Sequence, residues 1–288
     1  MPEGDSVYLA AKRMHQGLAG HRLTRTDFRV PHLATTDLSG RTVLAVVPRG
    51  KHMLTRIEGG LTLHTHFKMD GTWHLYRPGQ RWNGPMWQVR VVLETAQRVA
   101  VGFRLPVVEL VPTADEQDVV GHLGPDLLGP DWDANEALRR LLADPGREIG
   151  TALLDQRNLA GLGNLWRCEA LFLRGVSPWT PTGDVQDLPG LIDLSYRMLQ
   201  ANKDRPEQTS TGSMRRGETS YVVGRYRKPC RRCRTQIAKR PQGVPPQQRE
   251  TYWCPYCQSG PGRPARALGP ASSPGAAAGG QVAGGTSG

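Results

Sequence analysis

The chain has 288 residues, 38% of them hydrophobic, with 37 Lys or Arg against 26 Asp or Glu and a formal charge of +11. That length suffices for two domains, and no apolar run approaches the about 18 residues of a membrane-spanning helix. The positive surplus excludes an acidic solvating chain and points to a polyanionic partner.

The chain opens Met1-Pro2-Glu3-Gly4-Asp5. Removal of an initiator Met, usual before Pro, leaves Pro2 with a secondary amine. Such an amine titrates at about 8, against about 10.4 for Lys, so more of it is free to attack at neutral pH. Attack on a sugar aldehyde carbon gives a cationic iminium, which acidifies the neighbouring C–H bond. The Glu3 carboxyl would stand beside it to move protons. A bland, exposed Pro-Glu start fits the same residues. From 5 to 19, Val7, Ala10, Ala11, Met14 and Leu18 recur at helical spacing, with Gly17 and Gly20 near the stop. This predicts a helix that holds the N-terminus. Residues 22–111 break into short β-rich stretches, among them 42–47, 53–57, 61–66, 87–93 and 99–103, punctuated by Gly, Pro and Asn. Regular short strands predict an antiparallel sandwich. His64 and His66 alternate about Thr65 and share a face; with no third ligand evident, hydrogen bonding is expected of them rather than metal binding.

Gly124-Pro125 and Gly129-Pro130 mark a linker, after which Asp133 and Glu136 form a capping pair for a helix through Leu142. Further helices are expected at 148–157, 164–173 and 187–202. Gly161 and Gly163 break the chain before Asn164, at a helix start. Free N–H groups and the positive dipole end suit a phosphate there; an ordinary N-cap is the other reading of Asn164. Cys168 reads as a small buried residue. The segment 209–217, basic at Arg215 and Arg216, is either a loop over a bound group or a surface connection.

Cys230, Cys233, Cys254 and Cys257 form C-x2-C, a spacer of 20 residues and C-x2-C. Two thiolate pairs at this spacing suit one tetrahedral zinc ion, which with four sulfur ligands is structural. Two disulfides are the alternative, but no secretory signal is read ahead of them. Between Arg225 and Arg249 lie nine Lys or Arg and no acidic residue, counting both ends. Around a metal hairpin this reads as a phosphate-binding surface. From Gly260 the composition becomes Gly-, Pro-, Ala- and Ser-rich, and disorder is expected. The fold class expected is therefore α+β in two domains. Residues 1–115 form an antiparallel β-sandwich, 116–130 a linker, 131–224 a helical domain, 225–259 a zinc finger and 260–288 a tail.

Taken together these segments resemble the Fpg/Nei family of DNA glycosylases, from Pro2 to about Cys257. Pro2-Glu3-Gly4-Asp5 is similar to the opening of the Nei (endonuclease VIII) branch, and actinobacterial Nei-like enzymes in particular; the Fpg branch opens Pro-Glu-Leu-Pro-Glu. Arg49-Gly50-Lys51-His52 resembles the family's strand lysine beside the lesion phosphate. His66-Phe67-Lys68-Met69-Asp70-Gly71 resembles the loop that fills the gap left by an extruded base. Leu154-Asp155-Gln156-Arg157 through Gly161-Leu162-Gly163-Asn164 resembles the helix–two-turn–helix signature. Gln248-Arg249-Glu250-Thr251-Tyr252-Trp253-Cys254 resembles the zinc-finger hairpin whose arginine bridges phosphates.

The resemblance implies a bifunctional glycosylase/lyase with Pro2 as nucleophile, Glu3 as proton donor and Lys51, Asn164 and Arg249 on the phosphates. Met69 is implied as an apolar wedge, although Lys68 and Asp70 depart from the Gln-Leu-Tyr of well-known Nei enzymes. No Arg-Arg-Phe-Gly segment of the Fpg type occurs; the nearest region reads Phe103-Arg104-Leu105-Pro106. Oxidised pyrimidines are thus expected over 8-oxoguanine. One structural zinc ion, damaged DNA as partner, no membrane, a monomeric state and a bacterial cytoplasmic, nucleoid-associated location complete the expectation. The alternatives are Fpg-like purine specificity, a non-catalytic damage-binding zinc protein and, more weakly, a transcription factor.

Overall fold

The computed structural model describes residues 2–259, so the tail expected from Gly260 lies outside the described residues. Helix α1 (Gly4–Leu18) buries Val7, Ala11, Met14 and Leu18 on one face. Eight strands follow: β1 (Leu23–Phe28), β2 (Val43–Arg49), β3 (His52–Ile57), β4 (Leu61–His66), β5 (Thr72–Tyr76), β6 (Val89–Thr95), β7 (Val99–Phe103) and β8 (Val107–Pro112). They form two four-stranded sheets, ordered β1-β6-β7-β5 and β2-β3-β4-β8. All pairings are antiparallel. Val43, Met53, Ile57, Leu63, Val91 and Ala100 meet between the sheets and pack with the apolar face of α1.

The stretch expected at 87–93 is a strand only from Val89, because Met86–Gln88 forms a 3-10 turn. Strand β1 was not legible as such, since it buries only its two ends, Leu23 and Phe28. The segment read as linker carries a short helix, α2 (Glu116–Val120). Glu116 accepts hydrogen bonds from Arg56 at 2.9 and 2.7 Å and from Thr62 at 2.7 Å, which fixes α2 against the sandwich.

The second half is built from α3 (Ala134–Leu141), α4 (Ile149–Ala152), α5 (Asn164–Arg174) and α6 (Leu188–Asn202). Its core gathers Leu153, Leu159, Leu162, Trp166, Leu171 and Leu199. Asp133 caps α3 by accepting from the Asn135 and Glu136 amides at 2.9 and 3.0 Å. Only half of the capping box forms, because the Glu136 carboxylate turns to Arg139 and Arg140. Strands β9 (Ala238–Gln242) and β10 (Arg249–Trp253) pair as an antiparallel hairpin. The molecule is thus α+β: an antiparallel sandwich, then a helical region carrying a four-cysteine hairpin. Among the described residues no helix is long and apolar enough to cross a membrane.

Candidate active site

Glu3 organises the junction between the two halves. Its carboxylate is completely buried and accepts from the backbone amides of Gly163 at 3.2 Å, Leu165 at 2.6 Å and Trp166 at 3.3 Å. These are first-turn donors of α5, which no helical carbonyl can satisfy. A residue from the start of the chain therefore caps a helix of the second domain, where its charge also suits the helix dipole. Gly163 has to be glycine, since a Cβ there would run into the Glu3 carboxyl. The next residue continues the seam: the Gly4 amide donates to Gly161 O at 2.9 Å. Pro2, half-buried, is held immediately before this anchor. Burial raises the Glu3 pKa to about 7, opposed by the charge of Lys51 and by the amides of Leu165 and Trp166 and reinforced by Asp5. Such a group can hold or release a proton at neutral pH.

Lys51 lies across the same junction. Its ammonium donates to Leu162 O at 2.7 Å. The β2–β3 turn that presents it needs Gly50 at φ +57°, and the Gly50 amide donates to buried Asp126 at 2.6 Å. Burial lowers the Lys51 pKa to about 8; Glu3 works against that shift and Arg249 adds to it. Lys51 thus feels the charges of both Glu3 and Arg249 of the hairpin.

Asn164 is not the N-cap of α5: that position is Gly163, and Asn164 is the first helical residue. Its side chain reaches outward, Nδ2 donating to Glu250 O at 2.9 Å, while Oδ1 accepts from Arg167 at 2.8 Å. Arg167 is completely buried and also donates to Gly150 O at 2.8 Å, Gln242 Oε1 at 2.8 Å and Thr251 Oγ1 at 2.6 Å. The guanidinium therefore clamps both hairpin strands onto α5. Two residues on, buried Glu169 accepts from the amides of Tyr221, Val222 and Val223 at 2.7, 2.9 and 2.9 Å and from the Ser210 hydroxyl. It fixes both ends of the segment containing 209–217. Arg167 and Glu169 were missed in the sequence. The available signal was two charged residues inside a helix apolar on every other face, Trp166, Cys168, Ala170, Leu171 and Phe172.

Arg249 is exposed at the start of β10, its guanidinium on Gln247 O and Gln248 O at 3.3 and 2.8 Å. Not all of the basic block faces outward. Arg232 sits over the Phe172 ring and donates to Phe172 O and Leu173 O at 3.0 Å each. Arg240, still exposed, lies 3.7 Å over Trp179. Met69 is 53% exposed at the tip of a turn closed by Gly71 N to Phe67 O at 2.8 Å, and so away from any core. Arg104 braces this turn by donating to Asp70 O at 3.1 Å.

The sulfurs of Cys230, Cys233, Cys254 and Cys257 all lie within 4.8 Å of one another. The pairs Cys230–Cys257 and Cys233–Cys254 are 3.9 and 3.4 Å apart. A tetrahedron of sulfurs about 2.3 Å from zinc has edges of about 3.8 Å, so the residues fit the ion. Cys168 is buried outside this set.

Residues 1–104 match the formamidopyrimidine-DNA glycosylase N-terminal domain and residues 123–188 match its H2TH domain. A probable endonuclease 8 2 of Streptomyces coelicolor is 57% identical over 264 residues, 91% of this chain and 95% of that protein. The chain belongs to the Fpg/Nei family of base-excision-repair DNA glycosylases. The DNA-(apurinic or apyrimidinic site) lyase Nei2 of Mycolicibacterium smegmatis is 43% identical, over 90% of this chain and 99% of that one. The fold is shared with the Lactococcus lactis formamidopyrimidine-DNA glycosylase bound to abasic-site DNA, at a TM-score of 0.74 and 21% identity, covering 89% of this chain and 99% of that one.

Proposed function

We propose that this Fpg/Nei protein is a bifunctional glycosylase/lyase that removes oxidised pyrimidines from DNA with Pro2 as nucleophile. The observation that carries the reading is Glu3: one carboxyl ties the N-terminus to the start of α5, beside Lys51 and within the field of the hairpin that bears Arg249. A damaged, weakly stacked nucleotide would be extruded into this junction, since its sugar carbon is inaccessible in the duplex. The Pro2 nitrogen attacks C1′ and the base leaves. In the same displacement a proton from Glu3 to the ring oxygen opens the sugar, so base release depends on it, and an iminium is left between C1′ and Pro2. The iminium acidifies C2′, and loss of that proton expels the 3′ phosphate; a second elimination expels the 5′ phosphate. Lys51, Asn164 and Arg249 hold the flanking phosphates, and Met69 occupies the space the base vacates. Zinc on the four cysteines would keep the hairpin folded and take no part in bond breaking. The protein acts as a monomer in this scheme.

Two labelled duplexes test the reading, one with 5-hydroxyuracil and one with 8-oxoguanine opposite cytosine. Base release with phosphate left on both ends of the gap is expected on the pyrimidine duplex. Release mainly from 8-oxoguanine would move the specificity to the Fpg branch. Binding without release from either duplex would contradict the enzymatic reading.

A further inference from the structure

Strands β3, β4 and β8 carry a line of side chains that the chemistry above does not use. Glu109 Oε2 and His64 Nδ1 are 2.9 Å apart, and His64 Nε2 and His52 Nδ1 are 2.8 Å apart. The chain crosses three neighbouring strands, with Glu109 opposite His64 and His52 opposite His66. His64 is buried and Glu109 is half exposed. His52 follows Lys51 directly; its ring stands 4.4 Å from His66, edge to face, and 6.0 Å from His122. A hydrogen-bonded line thus runs from the solvent side of the sheet to the residue beside Lys51.

With both imidazoles neutral, one donor pattern satisfies this line. A carboxylate only accepts, so His64 Nδ1 carries a hydrogen; neutral His64 then accepts at Nε2, and His52 donates from Nδ1. The second ring nitrogen of His52 is left as an acceptor, which would repel a phosphate oxygen brought against it. One proton from solvent reverses this. It binds His52 Nε2 while the hydrogen on His52 Nδ1 passes to His64 Nε2. The charge comes to rest on His64 against Glu109, and His52 presents an N–H outward. His52 itself stays neutral, because burial and the neighbouring His66, His64, His122 and Lys51 lower its pKa to about 2. The groups facing the relay are Lys51 from the turn before β3, His66 and Lys68 at the end of β4, His122 from the turn after α2, and Glu109. Of these Glu109 alone is acidic, which places the stabilised charge on His64.

We propose that Glu109, His64 and His52 form a proton-loaded phosphate ligand beside Lys51, which takes up a proton when the DNA backbone binds and turns His52 from acceptor to donor. This rests on the reading of the junction as a DNA site. The test uses the full-length protein and a duplex bearing a tetrahydrofuran abasic analogue, which requires binding and no chemistry. Calorimetry in buffers of different ionisation enthalpy reads the protons taken up. The wild-type protein is expected to take up a proton, with affinity falling about tenfold from pH 6 to pH 8.5, the size of one hydrogen bond to a charged group. Part of any fall above pH 8 belongs to Lys51, whose pKa of about 8 is common to all variants. Glu109→Gln, at a half-exposed position, and His52→Phe should each bind more weakly than the wild type at pH 6 and keep only the part of the pH dependence that Lys51 supplies, and Glu109→Gln should lose the uptake. Unchanged uptake and pH slope in both variants would overturn the relay and assign the dependence to Lys51. Failure of the wild-type protein to bind at any pH would instead overturn the DNA reading on which the relay stands.

Discussion

In the N-terminal sandwich the space between the sheets is filled by Val43, Ile57, Leu63, Val91 and Ala100, all without ionisable groups. Around α5, three ionisable side chains, Glu3, Arg167 and Glu169, are completely buried within one short helix and its cap. Apolar packing is nondirectional: it holds two sheets together and tolerates small shifts. A buried charge is costly unless every hydrogen bond is made, and each of these three is surrounded by partners. Glu3 has three backbone amides, Glu169 has three amides and a hydroxyl, and Arg167 reaches Asn164, Gly150, Gln242 and Thr251. The sandwich supplies stability, while the seam sets where Pro2, Lys51, Asn164 and the hairpin stand relative to one another.

Substitutions on the two sides should therefore separate stability from chemistry. The largest effect is expected from Glu3→Gln. Base release should fall about 10²- to 10⁴-fold, the range of general acid catalysis, while affinity for an abasic-analogue duplex stays within a few-fold in a binding titration. On the sandwich side, Leu63→Ala should cost about 2–5 kcal/mol of stability by urea unfolding and leave base release per folded molecule unchanged. A drop in that rate would show that the sandwich shapes the site directly.

Glu169→Gln should be milder and local. Loss of a charged acceptor costs about 1–3 kcal/mol, and hydrogen exchange at the amides of Tyr221, Val222 and Val223 should quicken before that of the sandwich. The smallest effect is that of pH. The Glu3 pKa is raised to about 7, so its acid form is lost as pH rises through that value. The ratio of base release to cleavage of a preformed abasic site should then fall with pH between 6 and 8. A flat ratio would remove Glu3 as the proton donor.

The contrast between the regions also explains what was legible in the sequence. The spacing of Val7, Ala11, Met14 and Leu18, the strands at 53–57, 61–66 and 99–103, and the two cysteine pairs are local patterns, and they predict α1, β3, β4, β7 and the metal hairpin. The seam is not local. Nothing near Glu3 says that it caps a helix starting at Asn164, and nothing near Arg167 names Gln242 or Thr251 as partners. The basic block was legible as charge but not as geometry, because Arg232 and Arg240 pack against Phe172 and Trp179. His64 and His66 were rightly placed on one face, yet the neighbour that completes their line, His52, comes from the adjacent strand.

The central claim is that the seam delivers the Pro2 amine to the sugar, and borohydride trapping tests it most directly. On a duplex carrying a preformed abasic site, the protein should form a covalent adduct that peptide mapping places on Pro2. A form that retains Met1 should bind the same duplex and yield none. An adduct of equal yield from the Met1-retaining form, or one mapped to Lys51, would contradict the account.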